Sequence, residues 1–365
     1  MIYIISSLHP MSDSRIYNRQ VLSLSKQYSV KYFAQGVEGW HPENISYVAL
    51  PAGRKLRVRL GNCWRLLRAS LAKEARVIHF HDPELIPVGL IAKLFGKKVV
   101  YDVHENYVLT IRHKRSIPKL LRGVVRVLFK LFENLSCRRF DLVLVVTDDL
   151  GKCLPGNVHT IPNYPLISFT PPERQPSQGA LKLVYAGLIS PARGILNMIE
   201  AVKKVKVPVT FDIIGHYNSP EFQDSVNAKI QGIENINYLQ SIPYTSYFKH
   251  LVQYDVGMMC LLPYPNHLTS TPNKLFEYMA MGMAILASDF PFWQGFLGKH
   301  ACGVWVDPLD TDAIAAAIER LECNREETAA MGRQGQEVYQ ALYNWESQEK
   351  KLLTLYNKML GEKNA

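Results

Sequence analysis

The chain has 365 residues, of which 47% are hydrophobic and 20% are charged. This length is too great for one small core and predicts two domains, and the composition is typical of a soluble globular protein. No apolar run approaches the roughly 18 residues that span a bilayer. Residues 1–10 (MIYIISSLHP) have no basic region before their apolar run, so they indicate a first strand rather than a signal peptide.

The formal net charge of +10 is distributed unevenly along the chain. Residues 1–170 carry 25 Lys and Arg against 12 Asp and Glu, whereas residues 171–365 carry 17 against 20. The basic half predicts an anionic partner, which membrane lipid, nucleic acid or a phosphorylated substrate would provide. No nucleic-acid-binding module is recognisable, so we expect an anionic membrane surface and no nucleic acid.

The first half alternates apolar runs with helical patterns. Strands are predicted at residues 2–6, 30–34, 76–80, 99–103, 142–147 and 159–162, and helices at 15–26, 54–73, 85–95 and 119–139. Strands that alternate with helices predict a parallel, doubly wound sheet.

A proline-rich segment at 162–179 interrupts the pattern and indicates a linker. A second series follows, with strands at 181–186, 209–214, 236–238, 256–262, 284–287 and 304–306, and helices at 195–204, 219–230, 244–252, 313–321 and 326–360. The predicted fold class is therefore α/β, with two Rossmann-like domains that face a cleft. We expect residues 1–165 to form the first domain and 166–340 the second, with 341–365 packing back on the first.

The stretch 269–288 (TSTPNKLFEYMAMGMAILAS) has the clearest chemical signal. It predicts a helix that follows a strand, with Thr271 as N-cap, Pro272 at the first helical position and Gly282 after the end. A helix start at the carboxyl end of a parallel strand suits a phosphate. Lys274 in the first turn and Glu277 one turn later suit a ligand with phosphate and hydroxyl groups, such as a nucleotide. The alternative is a solvated Lys–Glu pair on an ordinary helix.

Three further residues are predicted at the same edge of the second sheet. Gly187 and Gly215 each follow a predicted strand, where a glycine lets the backbone approach a ligand. Arg193 precedes the next helix and could bind phosphate oxygens with its guanidinium group. Each signal alone is weak, and their convergence with Lys274 and Glu277 is what favours a binding site.

In the first half, His104 directly follows a predicted strand, which would place it at the cleft. The motif HFHDPE at 79–84 is placed similarly, and its two histidines and aspartate could bind a metal. No later metal ligands appear at clear strand ends, so no metal is expected. The DTD motif at 310–312 directly precedes a helix, and helix capping explains it better than metal binding.

Two predicted helices are basic. Residues 119–132 (KLLRGVVRVLFKLF) place Lys119, Arg122, Arg126 and Lys130 along one side, and residues 54–73 carry Trp64 among basic residues. One interpretation is a surface that lies on anionic lipid. The other is a core helix whose charged side meets water.

Taken together, the motifs resemble those of the retaining glycosyltransferases of family 4, which have the GT-B fold. The similarity is closest to the bacterial branch that builds capsular and lipopolysaccharide chains. It runs nearly end to end, through the segments HPMSDSRI, HFHDPELIPVGL, VVYDVHE, VYAGLISPARGI, FDIIG, PNKLFEYMAMGMAILASD and NWESQEKKLLTLY. The PNKLFEYMA segment and the HDPEL and DVHE pair are the specific ones.

The resemblance implies a nucleotide-sugar donor bound mainly by the second domain. Glu277 matches the second glutamate of the family's paired motif, which binds the ribose hydroxyls. Lys274 and Arg193 would neutralise the diphosphate, and Gly187 and Gly215 would let the donor come close.

Other positions have implied roles at the edge of this site. Backbone amides of Asn273 and Leu275 would assist in binding the diphosphate. His104 matches the first-domain histidine that lies beside the sugar and the diphosphate. Asp13 and Arg15 occupy the first loop, which borders the cleft in this family.

The chain departs from the family pattern at three positions. The first glutamate of the paired motif would fall at Thr269, which stays a candidate donor-binding residue although it lacks the carboxylate that usually contacts the donor sugar. The arginine that often follows the first glycine is Leu188, and the usual lysine before the next glycine is Arg193. Phosphate neutralisation would therefore depend on Arg193 and Lys274, with no metal ion or other cofactor.

The predicted function is transfer of a hexose from a nucleotide sugar to a glycan or polyprenyl-linked acceptor, with retention of configuration, in surface polysaccharide synthesis. Two alternatives stay open: a nucleotide-sugar epimerase or metal hydrolase of similar architecture, and a non-catalytic module tethered to a membrane. The six cysteines form no CxxC pair, which indicates a reducing cytoplasm. The expected location is cytoplasmic, with peripheral association at the inner face of the plasma membrane.

Overall fold

The chain divides into two compact units. A computed structural model describes residues 1–36, 44–53, 55–113, 117–167, 169, 171–173, 175–176, 178–268 and 270–362. The first unit comprises Met1–Asn163 together with Trp345–Ala365, and the second comprises Tyr164–Asn344. The boundaries expected from the sequence, after residues 165 and 340, lie close to these divisions.

The first unit contains a seven-stranded parallel sheet. Its strands are β1 (Ile2–Pro10), β2 (Val30–Gln35), β3 (Ile45–Leu50), β4 (Val77–Phe80), β5 (Lys98–Val103), β6 (Leu142–Val145) and β7 (Val158–Thr160). Their order across the sheet is β3-β2-β1-β4-β5-β6-β7, and every ladder is parallel. The edge strand β3 is absent from the sequence prediction, because only its two end residues, Ile45 and Leu50, are buried.

The helices of the first unit connect these strands. They are α1 (Leu22–Ser25), α2 (Leu56–Ser70), α3 (Ile86–Leu94), α4 (Tyr107–His113), α5 (Arg122–Cys137), α6 (Asp148–Lys152) and, from the end of the chain, α15 (Trp345–Leu360). A π-helical turn, Ile16–Val21, precedes α1, where one regular helix was expected. No helix in the described ranges is both long and apolar enough to cross a membrane.

The second unit contains a six-stranded parallel sheet. Its strands are β8 (Leu181–Ile189), β9 (Val209–Tyr217), β10 (Ile236–Gln240), β11 (Val256–Met259), β12 (Ala284–Ser288) and β13 (Gly303–Val306), in the order β10-β9-β8-β11-β12-β13. Its helices are α7 (Ile195–Lys204), α8 (Pro220–Ile230), α9 (Tyr244–Leu251), α10 (Pro265–Leu268), α11 (Asn273–Ala280), α12 (Pro291–Leu297), α13 (Thr311–Cys323) and α14 (Arg325–Leu342). Two parallel α/β sheets confirm the predicted fold class.

Burial explains why these strands were readable from the sequence. Every residue of β4, β6, β11 and β12 is buried, since helices cover both faces of a parallel sheet, and these strands are predominantly apolar. The prediction that DTD at 310–312 is a helix cap is also confirmed. The Asp310 carboxylate accepts hydrogen bonds from the amides of Asp312 and Ala313 at the start of α13.

The last helix belongs to the first unit. At its start, the Trp345 indole donates to Ser23 Oγ over 2.9 Å. Near its end, the buried Tyr356 hydroxyl lies 2.8 Å from His79 Nδ1 on β4. Both aromatic residues are fully buried, so α15 is an integral part of the core of this unit.

Candidate active site

Two glycines bring the backbones of neighbouring strands together in the second unit. Gly187 on β8 lies directly opposite Gly215 on β9, with φ angles of +155° and +153°. A Cβ atom at Gly215 would lie 1.8 Å from the carbonyl oxygen of Gly187, so no other residue fits there. A Cβ atom at Gly187 would lie 3.8 Å from Lys274 Cε. The lysine of α11 therefore lies beside the carboxyl ends of these strands, as the sequence predicted.

The helix α11 begins one residue later than expected. Pro272 is the N-cap residue and Asn273 the first helical residue, and the N-cap residue makes no side-chain hydrogen bond to the helix. The prediction that Thr271 caps it and that Pro272 is the first helical residue is wrong, because the backbone at Pro272 is still extended. Among the described residues, no side chain accepts a hydrogen bond from the first-turn amides, so the partial positive charge of the helix start can act on a ligand.

Lys274 and Glu277 form the predicted pair on one face of α11. Lys274 Nζ donates to Glu277 Oε2 over 2.7 Å and to Tyr247 Oη over 2.9 Å. The ammonium group also lies 4.3 Å from the centre of the Tyr247 ring. Burial, and next the charge of Glu277, raise the pKa of Tyr247 well above its usual value. Tyr247 was missed by the sequence reasoning, because α9 gives no local sign that it reaches α11.

Glu277 is the most buried charged group of this cluster. Its residue is only 7% exposed, and the structure therefore differs from the alternative of a solvated Lys–Glu pair. The side chain of Leu275 is fully buried in the core, so only its backbone can contact a ligand. Thr269, the position of the missing first glutamate, lies outside the described residues.

Arg193 supplies a second positive charge at this edge. It ends a 3-10 turn, Pro191–Arg193, and Gly194 follows with a φ of +70°. A Cβ atom at Gly194 would lie 2.1 Å from the carbonyl oxygen of Cys260, so this glycine fixes the turn. Arg193 is half-buried and forms no ion pair with any residue in the described ranges. Burial raises the pKa of Tyr185, and the charge of Arg193 partly opposes that effect, so the two groups are close.

In the first unit, His104 lies at the end of β5 above a buried carboxylate. His104 Nε2 is 3.3 Å from Asp102 Oδ2 and 3.1 Å from His81 Nδ1. The side chain of His104 is 17% exposed, whereas Asp102 and His81 are fully buried. Burial lowers the pKa of His81 to about 4, so its ring is neutral. His104 is thus the accessible end of a buried polar group.

Arg15 is part of this buried group rather than of an accessible loop. Its guanidinium group donates to both oxygens of Asp102, over 2.9 and 2.8 Å, and to the carbonyl oxygen of Ile161. Burial alone would raise the pKa of Asp102, but Arg15 and His104 outweigh it and hold the pKa well below its usual range. Arg15 is only 4% exposed, so its side chain can act on a ligand only through Asp102 and His104.

Asp13, the other residue expected in the first loop, organises that loop. Its carboxylate accepts hydrogen bonds from the amides of Arg15 and Ile16 and lies 3.0 Å from His9 Nδ1. Burial opposes its ionisation, but the bond with His9 prevails and lowers the pKa of Asp13. His9 was not singled out from the sequence, although its ring contacts that of His104 with 5.2 Å between the centres.

The buried side chains of His79, His81 and Asp102 lie close enough together to be ligands of one metal ion. The Nε2 atoms of both histidines have no hydrogen-bond partner in the part of the chain that the structure describes. Asp82, the aspartate of the HFHDPE motif, is not in this group, because the Ser6 hydroxyl and the Ser7 amide bond to it. The residues fit a metal poorly, since the Arg15 guanidinium occupies both oxygens of Asp102 and would repel a cation.

The basic helix α5 is turned outward. Glu133 and Ser136 face inward, and the Tyr101 hydroxyl donates to Glu133 Oε1 over 3.0 Å. Large apolar side chains are exposed instead: Leu120 95%, Leu121 53%, Val124 58%, Val127 52%, Leu128 60%, Leu131 56%, Phe132 40% and Leu135 62%. The alternative of a core helix with only its charged side in water is therefore wrong. On α2, Leu56, Leu60 and Trp64 are likewise 68%, 60% and 62% exposed, while Arg54 lies outside the described residues.

Comparison with known proteins relates both units to one class of enzyme. Residues 180–324 match the family model of group 1 glycosyl transferases, and residues 24–163 match the glycosyl transferase 4-like domain. No curated protein matches the sequence significantly.

Solved structures match over nearly the whole length of both chains. Sucrose-phosphate synthase from Thermosynechococcus elongatus has a TM-score of 0.76 at 19% identity, with 99% of this chain and 98% of that chain covered. Anabaena HepE in complex with UDP has a TM-score of 0.74 at 14% identity, with coverages of 98% and 100%. WaaG, a glycosyltransferase involved in lipopolysaccharide biosynthesis, has a TM-score of 0.69 at 13% identity, with coverages of 97% and 99%. These similarities confirm the predicted GT-B fold.

Proposed function

The chain is a glycosyltransferase of the GT-B fold, and on this basis we propose that it transfers a hexose from a nucleotide-sugar donor to a glycan or polyprenyl-linked acceptor. The transfer retains the configuration of the sugar and contributes to surface polysaccharide synthesis. Anabaena HepE binds UDP and UDP-glucose, which supports a nucleotide-sugar donor. The role of WaaG in lipopolysaccharide biosynthesis supports a glycan acceptor.

One observation carries the proposal for the donor: positive charge and glycine backbone converge at one edge of the second sheet. Lys274 lies beside Gly187 and pairs with the buried Glu277, and no side chain that the structure describes caps the start of α11. Arg193 adds a cation that forms no ion pair within the described ranges. A diphosphate needs cations and free amides, and ribose hydroxyls need a carboxylate acceptor, so this edge suits both parts of a nucleotide.

The proposed reaction breaks the bond between the anomeric carbon and the diphosphate. Negative charge then develops on the leaving diphosphate, and Lys274, Arg193 and the helix start stabilise it without a metal ion. The acceptor hydroxyl attacks from the face that the diphosphate leaves, which retains the configuration, and the leaving phosphate accepts the hydroxyl proton. His104 would act beside the sugar, as the family resemblance implies.

The direct test measures hydrolysis or transfer of nucleotide sugars by the wild type and by Lys274→Ala and Glu277→Ala. We expect each variant to lose at least about tenfold in kcat/KM, since each removes a charged contact with the donor. Lys203→Ala is the matched control, because Lys203 pairs with Glu200 at the same i, i+3 spacing on the surface of α7. Wild-type activity in both α11 variants would refute this donor site.

The same assay distinguishes the other enzyme classes. An epimerase would convert the donor into a second nucleotide sugar when no acceptor is present, and a metal hydrolase would lose activity in chelator. A non-catalytic membrane module would bind vesicles and have no affinity for any nucleotide sugar.

We further propose that the acceptor reaches the enzyme at an anionic membrane surface. The support is α5, which exposes apolar side chains beside cations, with no acidic residue except the buried Glu133 between Asn106 and Phe140. An exposed apolar face with a basic flank suits the boundary between headgroups and acyl chains. The cytoplasmic leaflet carries anionic lipid, which fits the expected cytoplasmic location.

Vesicle sedimentation tests the membrane proposal. Leu128→Gln/Leu131→Gln should lower the partition coefficient on phosphatidylglycerol vesicles at least about tenfold, since two leucines no longer enter the apolar layer. The control is Leu309→Gln/Leu342→Gln, which removes two exposed leucines of the second unit. Equal binding by both double variants would contradict a role for α5.

A further inference from the structure

Tyr247 brings the helix α9 into contact with the charged pair of α11. Its hydroxyl oxygen accepts a hydrogen bond from Lys274 Nζ over 2.9 Å, and the same ammonium group lies 4.3 Å from the centre of its ring. The ammonium group therefore lies over the hydroxyl side of the ring face, where the π electrons and the oxygen both attract a cation. Tyr247 is only 8% exposed, so water competes little for these contacts.

The hydroxyl group of Tyr247 also has a proton to donate. A lysine ammonium group is a donor only, so the Tyr247 oxygen is the acceptor in the contact with Lys274 and its own O–H bonds elsewhere. Burial and the charge of Glu277 raise the pKa of Tyr247, and a hydrogen bond with Glu277 adds to this effect. Because Lys274 also donates to Glu277 Oε2 over 2.7 Å, the three side chains form a closed triangle of hydrogen bonds.

Tyr247 is itself held by the core of the second unit. Its ring packs edge to face against that of Phe248, with 5.1 Å between the centres, and both residues belong to the main apolar cluster of this unit. On the facing helix α11, the buried Tyr278 hydroxyl accepts a hydrogen bond from the amide of Ala186 on β8 over 2.9 Å. Packing thus fixes α9, α11 and β8 around the Lys274 ammonium group.

The position of Lys274 depends on such contacts, because a lysine ammonium group is carried on a flexible four-carbon chain. The Cε atom of Lys274 lies 3.8 Å from where a Cβ atom at Gly187 would be, and 29% of the side chain is exposed. Glu277 lies on the same helix, one turn away, and alone would let the ammonium group move around its carboxylate. Tyr247 comes from a different helix, and its second contact restricts that movement.

We propose that Tyr247 is a positioning residue for the donor: its hydroxyl group holds the Lys274 ammonium group beside Gly187, where the diphosphate binds. Tyr247 acts through Lys274 and does not touch the donor. Because the ammonium group is already in place, binding of the diphosphate does not have to order a flexible side chain, which favours affinity. This inference rests on the proposed function, because it concerns the donor site of that reaction.

Isothermal titration with UDP, dTDP, GDP, ADP and CDP tests this role. The diphosphate that the wild type binds most tightly is titrated into Tyr247→Phe, which removes only the hydroxyl group and keeps the ring against Phe248. We expect the affinity to fall by about fivefold or more, since a hydrogen bond to a charged group is lost. The control Tyr254→Phe removes a hydroxyl group of the same unit that donates to Asp212 Oδ2 over 2.6 Å, just before β11. It should change the affinity by less than about twofold, because this contact is outside the donor site.

Two further titrations show whether the hydroxyl group acts through Lys274. In the Lys274→Met background, adding Tyr247→Phe should weaken diphosphate binding by less than about twofold more, because no ammonium group is left to hold. The nucleoside of the same base has no diphosphate, so its affinity, measured by NMR titration, should differ by less than about twofold between the wild type and Tyr247→Phe. A merely structural hydroxyl group would affect both backgrounds and both ligands equally.

The outcomes separate this inference from the proposed function. If Lys274→Met weakens diphosphate binding and Tyr247→Phe does not, the role of Tyr247 is wrong and the donor site is intact. Equal losses in both backgrounds, or for the nucleoside and the diphosphate, would also overturn that role. If the wild type binds none of the diphosphates, or Lys274→Met binds as tightly as the wild type, the proposed donor site is contradicted and the role of Tyr247 fails with it.

A second variant covers the case in which Tyr247→Phe does not fold. Tyr247→Met removes the same hydroxyl group and supplies a flexible side chain that adapts to the space left in the core. The same losses are expected of it, and an unchanged affinity for the diphosphate would overturn the role of Tyr247.

Discussion

The pair Lys274–Glu277 can be tested for two roles at once, as a structural contact and as a ligand site. The relevant variants are Lys274→Met, Glu277→Gln and the double variant, which keep the volume of the side chains while removing the charges. Lys274 Nζ lies 2.7 Å from Glu277 Oε2, and the side chains are 29% and 9% exposed. A hydrogen bond between charged groups contributes about 1.5–3 kcal/mol, and the exposure of the lysine reduces this value through screening.

We therefore expect Lys274→Met to destabilise α11 by about 1–2 kcal/mol, because Glu277 is left buried without its cation. Glu277→Gln should cost less, since the lysine retains Tyr247 and partial access to water. The double variant should recover most of the loss, with an interaction energy of about 1 kcal/mol. Hydrogen exchange of the α11 amides, measured by mass spectrometry, reports this local stability directly.

Nucleotide-sugar affinity should follow a different pattern across the same variants. Lys274→Met should weaken binding by at least about tenfold, and the double variant should be no better, because restored helix stability does not replace the charge that meets the diphosphate. If affinity recovers in the double variant together with stability, the pair is only a structural contact, and the reasoning for the donor site is refuted.

Three further predictions follow from the same structure. Gly215→Ala should lower the free energy of unfolding of the second unit by about 3 kcal/mol or more, because its Cβ atom would overlap the Gly187 carbonyl oxygen. The control Gly295→Ala has open space around the new Cβ atom and should change the free energy of unfolding in urea by less than about 1 kcal/mol. The pKa of His81 is about 4 in the folded chain and near 6.5 when unfolded, so the unfolded chain binds an extra proton between these values. The first unit should lose up to about 1.4 kcal/mol per pH unit as the pH falls from 6.5 toward 4, and urea titrations should show a shallower dependence in His81→Gln. Transfer activity should be the same in excess chelator as in magnesium, and complete loss in chelator would contradict the role given to the cations of the second unit.

The central strands and most long helices of both units were predictable because their signals are local. The strands β4, β6, β11 and β12 are fully buried and predominantly apolar, and α7 begins and ends where its sequence pattern does. The elements that were missed are those in which local patterns are weak. Only two of the six residues of the edge strand β3 are buried, and the short helices α4, α6 and α12 have too few turns to show a period.

The candidate site was predictable where spacing within one helix decides the contact. Lys274 and Glu277 are one turn apart, so any regular helix brings them together. Tyr247 precedes Lys274 by 27 residues, and Asp102 follows Arg15 by 87, so only the assembled sheets bring these groups into contact. The motif YDVHEN predicted that His104 follows a strand. The two hydrogen bonds from Arg15 to Asp102 beneath His104 could not be predicted, because no sequence spacing relates these two residues.

The orientation of α5 shows what an amphipathic sequence pattern can predict and what it cannot. A helical period shows that two faces differ, but it does not show which face meets the sheet. In α5 the inward side combines the apolar residues Phe129 and Cys137 with two polar ones. The Tyr101 hydroxyl donates to Glu133, and the Ser136 hydroxyl donates to the carbonyl oxygen of Phe132. The opposite face exposes side chains such as Leu128 and Leu131 that each favour leaving water by about 1.5–3 kcal/mol. The exposed apolar face and the excess of positive charge in the first half of the chain both support the proposal that α5 lies on an anionic bilayer.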